Sequence, residues 1–303
     1  MSIEMSSVLS EMNRVDRMRR EERRISGRAA LRDGSRRIAR RIAIAVVSLV
    51  VLYFALCLPV AWYQTRLIYW NDVPDMADAV HDGWTVRPYV SHDPRHGFAA
   101  YVHEGKAGLP TVVYLHGRGE DFGIIRENVD AYVRQDWTVV APEYPGFAGL
   151  AGEPEEHVIN ALMGKVYADL TDRGTSPSSI VIHGNSLGAG PALQLAQFPH
   201  GFLFLSAPVG SMRKLIHHYV PFYPTALLRD EWNNVGRART RWPAPAQVIH
   251  AADDVVVPVE QGRTLAGAAR ASYREYPRGG HLIARYDLGI RVLPDGRFGY
   301  SDT

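Results

Sequence analysis

The N-terminal fifth of the chain consists of a polar segment followed by an apolar one. Residues 1–41 carry charged side chains throughout and show no apolar core pattern. Between Arg41 and Arg66 there is no charged residue, and residues 42–61 are almost entirely apolar. In a helix, about 20 such residues extend roughly 30 Å, the thickness of the hydrocarbon core of a bilayer. The pattern therefore predicts a transmembrane anchor over residues 42–62, preceded by a basic tail.

A cleaved signal peptide and a buried core helix are the alternatives to a retained anchor. The charged segment before the apolar run is long, the run exceeds the usual length in a signal peptide, and no Ala-x-Ala site follows it. Cys57 does not suit a lipoprotein signal, because Leu56 before it is too large. Aromatic residues suited to a membrane interface follow the run: Trp62, Tyr63, Tyr69 and Trp70. We therefore expect a single span that is retained.

The distribution of charge around the span predicts its orientation. Four of the six residues at 36–41 are arginine, whereas Arg66 is alone just after the span. Basic residues favour the cytoplasmic side, so we expect residues 1–41 in the cytoplasm and the chain after the span outside it. The tail has twelve arginines and six acidic residues, a net charge of +6, which anionic lipids of the cytoplasmic membrane face would attract.

After the span, short β-rich runs appear, and from Thr111 onward helix-like segments separate most of them. The predicted strands are Trp84–Val90, Phe98–Val102, Thr111–Leu115, Thr138–Ala141, Ile180–His183, Phe202–Leu205, Gln247–His250 and Ser272–Tyr276. The clearest predicted helices are Glu155–Arg173, Leu187–Gln197 and Val259–Ala268. Such an alternation indicates parallel pairing in a sheet covered by helices on both faces. We therefore predict an α/β fold whose first two strands form an antiparallel edge.

One segment does not fit this alternation. Leu215–Pro245 is rich in Pro, Trp and Arg, and it predicts an insertion over one end of the sheet, similar to a small lid, within about residues 210–245. The expected organisation is therefore a linker over residues 63–80 and one domain over residues 81–303 that contains this insertion.

Composition excludes several classes of protein. Of 303 residues, 46% are hydrophobic and 22% are charged, which is typical of globular chains rather than disordered or collagen-like ones. One cysteine cannot form an intrachain disulfide, and it excludes zinc sites of the Cys₄ or Cys₂His₂ kind. The net charge of +2 argues against a dedicated nucleic-acid-binding protein, and residues 42–303, with 22 basic and 26 acidic residues, carry −4.

The pattern Gly184-x-Ser186-x-Gly188 lies between a predicted strand and a predicted helix. A serine on such a sharp turn adopts strained backbone angles, which tiny neighbours two residues away permit. Its hydroxyl is then exposed at a helix N-terminus, where backbone N–H groups point at a developing oxyanion. An ordinary glycine-rich turn is the alternative, but the strand before it and the helix after it favour a nucleophile.

A serine nucleophile needs a base, and the base needs an acid that orients it. In hydrolases with this turn, the order along the chain is Ser, then Asp or Glu, then His. Of the histidines after Ser186, only His281 also follows a suitable acidic loop, and it comes directly after the last predicted strand. The acidic loop contains both Asp253 and Asp254, so its pattern leaves two candidates for the acid.

Two backbone N–H groups are candidates for an oxyanion hole. One belongs to Leu187, the residue after the nucleophile, and the other to the loop after an early central strand. The strand Thr111–Leu115 is followed by His116-Gly117-Arg118, and we predict Arg118 as the second donor, through its backbone. A plain β-turn is the alternative for this loop.

Together these residues resemble the α/β-hydrolase superfamily, and within it the small membrane-anchored serine hydrolases. The resemblance covers about residues 62–281, with motifs at Tyr63–Tyr69, Tyr114–Gly117, Pro142–Phe147, Gly184–Gly188, Asp254–Pro258 and Gly279–His281. It implies a mostly parallel sheet of eight strands, Asp254 as the acid, and hydrolysis of esters, thioesters or amides without a cofactor or metal. The chain departs from the pattern at Ala251, where relatives usually have Gly, and at Glu143–Ala148, where they usually have Asp-Tyr-Arg-Gly-Tyr-Gly.

These patterns predict a serine hydrolase with Ser186 as nucleophile, His281 as base and Asp254 as orienting acid. Two other functions stay open: an acyltransferase that uses the same residues, and a non-catalytic, membrane-tethered binding module that keeps the fold. The anchor would hold the site near the bilayer, which suits lipid esters or acylated proteins as substrates, and peptidase activity is a further option.

Overall fold

The computed structural model describes residues 2–70, 72–76, 80–90, 93–239, 244–285, 290–292 and 298–300. The chain divides into two compact units, Met1–Val60 and Ala61–Thr303. Residues 71 and 77–79 of the predicted linker, and residues 240–243 of the predicted insertion, lie outside the described residues.

The first helix, α1, covers Ser2–Tyr69. Its part Arg36–Tyr69 is long and apolar enough to cross a membrane, and only 6% of its most apolar window is buried. Aliphatic side chains along this part are exposed, among them Val47, Leu49 and Leu52. An uninterrupted apolar surface of this length is costly in water and stable in lipid, so the helix suggests a membrane anchor.

The last turns of α1 contribute to the core of the second unit. Ile68 and Tyr69 are buried in it. The Tyr69 hydroxyl donates a hydrogen bond to Asp230 Oδ2 at 2.9 Å and accepts one from Trp232 Nε1 at 3.1 Å. A buried tyrosine is stable when its ring is packed and its hydroxyl is paired, and both conditions are met here. Residues 63–69, predicted as part of a linker, are therefore helical, and Gln64, Ile68 and Tyr69 among them are buried.

Eight strands form the main sheet. They are β1 Trp84–Pro88, β2 Ala99–His103, β3 Thr111–Leu115, β4 Thr138–Glu143, β5 Ile180–Asn185, β6 Phe202–Ser206, β7 Ala246–Ala251 and β8 Ser272–Tyr276. Their spatial order is β1-β2-β4-β3-β5-β6-β7-β8. The pairs β1–β2 and β2–β4 are antiparallel, and the other pairs are parallel. The predicted sheet and its antiparallel edge are confirmed.

The central strands consist of residues that suit burial on both faces. Every residue of β3 and of β5 is buried, including the branched run Ile180–Ile182. Branched side chains pack well on a pleated surface, and parallel strands with both faces covered have almost continuous apolar sequences. The polar residues His183 and Asn185 at the end of β5 are therefore exceptions that need hydrogen-bond partners.

Helices cover both faces of the sheet. Those of the second unit are α2 Phe122–Val133, α3 Glu156–Asp172, α4 Ala189–Leu195, α5 Met212–Tyr219, α6 Asn234–Arg237 and α7 Val259–Ala269. The connection from β3 to β4 runs towards one edge of the sheet, and the later parallel connections run towards the other. Since such crossovers are right-handed, α2 covers one face and α3, α4 and α7 cover the opposite face. The strand order reverses at β3, and open α/β sheets bind ligands at the carboxyl ends of strands near such a reversal.

The sequence patterns do not predict the helices within the insertion or the short pair of strands after the main sheet. The insertion contains α5, a 3₁₀ turn at Thr225–Leu227, and α6. Its Trp232 is buried against Gly190 of α4, where a Cβ atom would lie 2.0 Å from the indole ring. A short antiparallel hairpin, β9 Ile290–Val292 with β10 Phe298–Tyr300, follows the main sheet.

Candidate active site

Ser186 lies on a strained turn at the carboxyl end of β5. Its φ angle is +52°, in the left-handed region that non-glycine residues seldom occupy. The surroundings leave no space for a side chain at either flanking glycine. A Cβ at Gly184 would lie 2.6 Å from the Ala192 side chain, and a Cβ at Gly188 would lie 1.9 Å from the Leu115 carbonyl oxygen. Strain of about 1–3 kcal/mol persists where the surroundings impose it, and such residues cluster at functional sites.

The structure brings Ser186, His281 and Asp254 into one chain of hydrogen bonds. The distance from His281 Nε2 to Ser186 Oγ is 2.9 Å, and the distance from His281 Nδ1 to Asp254 Oδ2 is 2.8 Å. An ionised carboxylate only accepts hydrogen bonds, so Nδ1–H donates to Asp254. In a neutral imidazole Nε2 is then left to accept the hydrogen bond from the Ser186 hydroxyl. This arrangement can move a proton from the serine to the imidazole.

The Asp254 carboxylate is buried and accepts four hydrogen bonds. Oδ1 accepts from the backbone N–H groups of Val256, at 2.8 Å, and Val257, at 2.9 Å. Oδ2 accepts from His281 and from His250 Nε2, the latter at 3.1 Å. Burial alone would favour the neutral acid, but the hydrogen bonds from His250 and His281 outweigh it and hold the pKa of Asp254 below its ordinary range. The carboxylate is therefore charged at neutral pH.

Asp253, the other acid candidate, has a different contact. Its side chain is exposed, and Oδ1 accepts a hydrogen bond from the backbone N–H of Gly280 at 2.8 Å. Gly280 directly precedes His281 and has a φ angle of +57°. Asp253 thus contacts the loop that carries the histidine and not its imidazole, whereas Asp254 contacts the imidazole itself.

The loop His116–Glu120, here called the β3 loop, lies against the candidate nucleophile. A Cβ at Gly117 would lie 2.6 Å from Glu120 Oε1 and 3.1 Å from Ser186 Cβ, so the backbone of this loop approaches the candidate nucleophile closely. Leu187 and Arg118, the predicted oxyanion-hole residues, follow directly after Ser186 and Gly117. The structure therefore brings both neighbourhoods together, and the role of the two N–H groups stays a prediction.

Glu120 ties the β3 loop to three other elements. Its Oε1 accepts hydrogen bonds from the Gly117 N–H at 2.8 Å and from Asn185 Nδ2 at 2.7 Å. Its Oε2 accepts from the Tyr114 hydroxyl at 2.7 Å and from Asn128 Nδ2 at 3.1 Å. Burial, with the neighbouring Glu120 adding to it, raises the pKa of Tyr114, so the phenol stays a donor. The buried carboxylate thus connects the β3 loop to β3, to α2 and to the residue before Ser186.

A second buried acid lies beside the same loop. Glu143, at the end of β4, has its Oε1 2.8 Å from His116 Nε2, and both side chains are fully buried. Burial opposes a charge on the imidazole, but Glu143 outweighs it and raises the pKa of His116. The Tyr144 ring stacks on His116, with ring centroids 4.1 Å apart. This pair supports the base of the β3 loop at the position where the chain departs from the family's usual pattern.

Three residues of this site are not predicted from the sequence patterns: Glu120, Asn185 and His250. His250 and Asn185 each occur next to a predicted element, but nothing in their spacing indicates contact with Asp254 or Glu120. The acid at Glu120 follows a predicted strand by five residues, which is compatible with a surface loop. A buried carboxylate is recognisable only when its donors are known, and sequence spacing does not show which side chains turn towards it. Asn185 is far from Glu120 in the chain, whereas the other donors to Glu120 lie within eight residues of it.

Residues 112–291 match the sequence model of the alpha/beta hydrolase family. The chain belongs to the alpha/beta hydrolase family. It is similar to the human protein ABHD12B, with 27% identity over 192 residues, which cover 56% of this chain and 53% of that protein. It is also similar to the lysophosphatidylserine lipase ABHD12 of Danio rerio, with 26% identity over 195 residues, covering 57% and 50%. The chain thus spans about half the length of the curated relatives it matches.

Solved structures agree on the fold. An esterase of Pyrococcus furiosus superposes with a TM-score of 0.51 at 15% identity, covering 66% of this chain and 82% of that one. A puromycin-hydrolysing peptidase of Mycobacterium tuberculosis gives a TM-score of 0.51 at 17% identity, covering 68% and 38%. Identity this low shows the fold alone.

Proposed function

We propose that the protein is a membrane-anchored serine hydrolase that cleaves carboxylic esters, or the related thioesters and amides, through an acyl-enzyme. The observation that carries the proposal is the continuous contact from Ser186 Oγ through His281 to Asp254, with distances of 2.9 Å and 2.8 Å. The strained φ of +52° at Ser186 supports it, because a serine on such a strand-to-helix turn is characteristic of the nucleophile in this fold.

The proposed mechanism assigns a role to each of these groups. Ser186 Oγ attacks the acyl carbonyl while His281 Nε2 accepts its proton, and His281 later gives that proton to the leaving group. Asp254 holds the imidazole in the required tautomer and stabilises its charged form. The N–H groups of Leu187 and Arg118 stabilise the oxyanion, each by roughly 3–4 kcal/mol. Water, activated by His281, then hydrolyses the acyl-enzyme.

A fluorophosphonate probe tests the nucleophile. We expect the wild-type protein to be labelled and Ser186→Ala to remain unlabelled, because the probe reacts with an activated serine. Ser179→Ala is the matched control, since its hydroxyl donates to the Ser176 carbonyl in the turn before β5 and its loss should leave labelling intact. Labelling of Ser186→Ala at the wild-type rate would contradict the assignment of Ser186 as the nucleophile.

We also propose the arrangement at the membrane: residues 1–41 as a cytoplasmic tail, residues 42–62 as the anchor, and the hydrolase domain on the extracytoplasmic side. The apolar part of α1 supports an anchor, and the arginines at 36–41 support the orientation. Protease added outside intact cells should digest the C-terminal domain and spare a tag at residue 1. Digestion of the N-terminal tag instead would reverse the orientation.

The substrate class follows from location and from the relatives. A site held next to a bilayer suits lipid esters or acylated proteins, and one relative is a lysophosphatidylserine lipase. Nitrophenyl esters from acetate to palmitate should show a rate that depends on chain length. Equal rates across the series would remove the lipid hypothesis, and ester formation with added alcohols would show acyl transfer.

A further inference from the structure

Arg118 follows the glycine that lies against the candidate nucleophile, and its side chain has a defined contact with Trp70. Arg118 directly follows Gly117, whose backbone lies against Ser186. The side chain is exposed, and its Cζ atom lies 5.0 Å from the centre of the Trp70 ring. A guanidinium over an indole face is attracted by the ring's quadrupole, by about 0.5–1 kcal/mol at exposed sites. This contact limits the arrangements of an otherwise flexible arginine.

Trp70 is itself held against the same loop. It directly follows α1 with a φ angle of +44°, and its N–H donates to the Arg66 carbonyl at 3.0 Å. A Cβ at Gly119 would lie 3.2 Å from the indole Cδ1 atom, so the ring covers this glycine closely. The indole therefore forms a platform on the β3 loop, and Arg118 lies on that platform.

Within the described part of the chain, no carboxylate is paired with the Arg118 guanidinium. The nearby Glu120 is buried, and both of its oxygens already accept hydrogen bonds from neutral donors. Partial burial is the sole influence on the pKa of Arg118, and it lowers that pKa. A partly desolvated cation without a counter-charge gains free energy when an anionic group binds to it.

We propose that Arg118, on its Trp70 platform, is a subsite for an anionic group of the substrate, a carboxylate or a phosphate, next to the scissile bond. The inference rests on the proposed function, because it takes Ser186 as the reacting atom. The rest of the chain after residue 41 carries a net −4, so the domain as a whole does not attract anions. An anionic substrate would therefore need a local cation, and the planar guanidinium suits both carboxylates and phosphates.

Two matched substrate pairs test the subsite on the full-length protein in detergent micelles. In the first pair the charge is on the acyl side: the 4-nitrophenyl monoester of adipic acid against the same compound as its methyl ester. In the second pair the charge is on the alcohol side: 1-oleoylglycerol 3-phosphate against 1-oleoylglycerol. The measured quantity is the ratio of kcat/KM for the anionic and the neutral member of each pair.

We expect at least one ratio to fall about tenfold in Arg118→Gln and to fall further in Arg118→Glu. Arg118→Lys should retain part of the preference, because it keeps the charge but loses the planar fork. Arg126→Gln is the matched control: Arg126 also lies over an aromatic ring, that of Phe122, but it is already paired with Asp82. High salt should reduce the wild-type preference.

Each outcome decides between the hypotheses. A preference that depends on Arg118 in one pair shows which side of the substrate carries the anion. Unchanged ratios in both pairs, with the neutral esters still hydrolysed, would overturn the subsite and leave the proposed function intact. No hydrolysis of any member would overturn the proposed function, and the subsite with it.

Discussion

Two loops at the carboxyl ends of β3 and β7 are each organised by one buried carboxylate. Glu120 follows β3 and Asp254 follows β7, and the two side chains are 7% and 8% exposed. Each accepts four hydrogen bonds, two on each oxygen. The two sites are therefore similar in burial and in number of donors, and they differ in the kind of donor.

The donors decide what each carboxylate can do. Asp254 has two imidazoles on Oδ2, and an imidazole can act as a general base or acid. Glu120 has a phenol, two amides and a backbone N–H, none of which does so. Asp254 can therefore take part in proton transfer through its partner, whereas Glu120 holds backbone and side chains in place. Equal burial does not imply an equal role.

The largest effect is expected from Asp254→Asn. The amide cannot accept from His281 Nδ1–H in the same way and favours the wrong tautomer, so kcat should fall roughly 10³–10⁴-fold while the fold is retained. Steady-state hydrolysis of a nitrophenyl ester measures the fall, and circular dichroism checks the fold. A loss of less than tenfold would mean that Asp254 is not the orienting acid.

A smaller loss is expected from Glu120→Gln. The neutral amide leaves one oxygen to accept hydrogen bonds, so one pair of donors loses its partner and the β3 loop shifts relative to Ser186. We expect about a tenfold lower kcat with KM little changed, and a loss of about 1–3 kcal/mol of stability.

The control for Glu120→Gln is Asp230→Asn. Asp230 is also 7% exposed, and it accepts hydrogen bonds from Tyr69 and from the Glu156 N–H. This variant should lose stability without the loss in kcat. Equal losses of kcat in both variants would mean that Glu120 supports the fold in general and does not specifically position the β3 loop.

Asp253→Ala should have a still smaller effect. It removes the acceptor of the Gly280 N–H and leaves the His281–Asp254 contact in place, so kcat should fall about two- to tenfold. Measured beside Asp254→Asn, this variant separates the two acid candidates. A fall as large as that of Asp254→Asn would contradict the different roles given to the two aspartates.

The smallest effect concerns stability in acid. The pKa of Asp254 is lower in the folded protein than its ordinary value of about 3.9. Its contribution to stability is therefore complete above about pH 4 and is lost as the pH falls through the folded value. Between pH 5 and pH 3, the free energy of unfolding should fall about 1 kcal/mol more in the wild type than in Asp254→Asn, measured by denaturant in detergent. Parallel pH dependences would contradict an ionised, hydrogen-bonded Asp254.

Local patterns were sufficient to predict most elements of the fold. The apolar runs at Thr111–Leu115 and Ile180–His183 predict buried strands because strand burial is visible within five residues. The spatial order β4-β3-β5 is not visible in this way, because it depends on which strands pair across long connections. The end of α1 is a similar case: Tyr69 is in the core because Asp230 and Trp232, far along the chain, complete its hydrogen bonds.

By itself, the sequence determined the strands of the main sheet, three of the helices that cover it, the apolar span, the Gly184-x-Ser186-x-Gly188 turn, and the order Ser, Asp, His. These features depend on neighbouring residues and on backbone angles that glycine allows. Only the tertiary structure decided which aspartate meets His281, that His250 shares its carboxylate, and that Glu120 joins the β3 loop to the residue before Ser186. The contacts of His281 with Asp254 and of Asn185 with Glu120 join residues that are far apart in the chain, and the contact of His250 with Asp254 depends on how the loop after β7 folds back. Hydrogen bonds form or fail within a few tenths of an ångström, which sequence patterns do not specify.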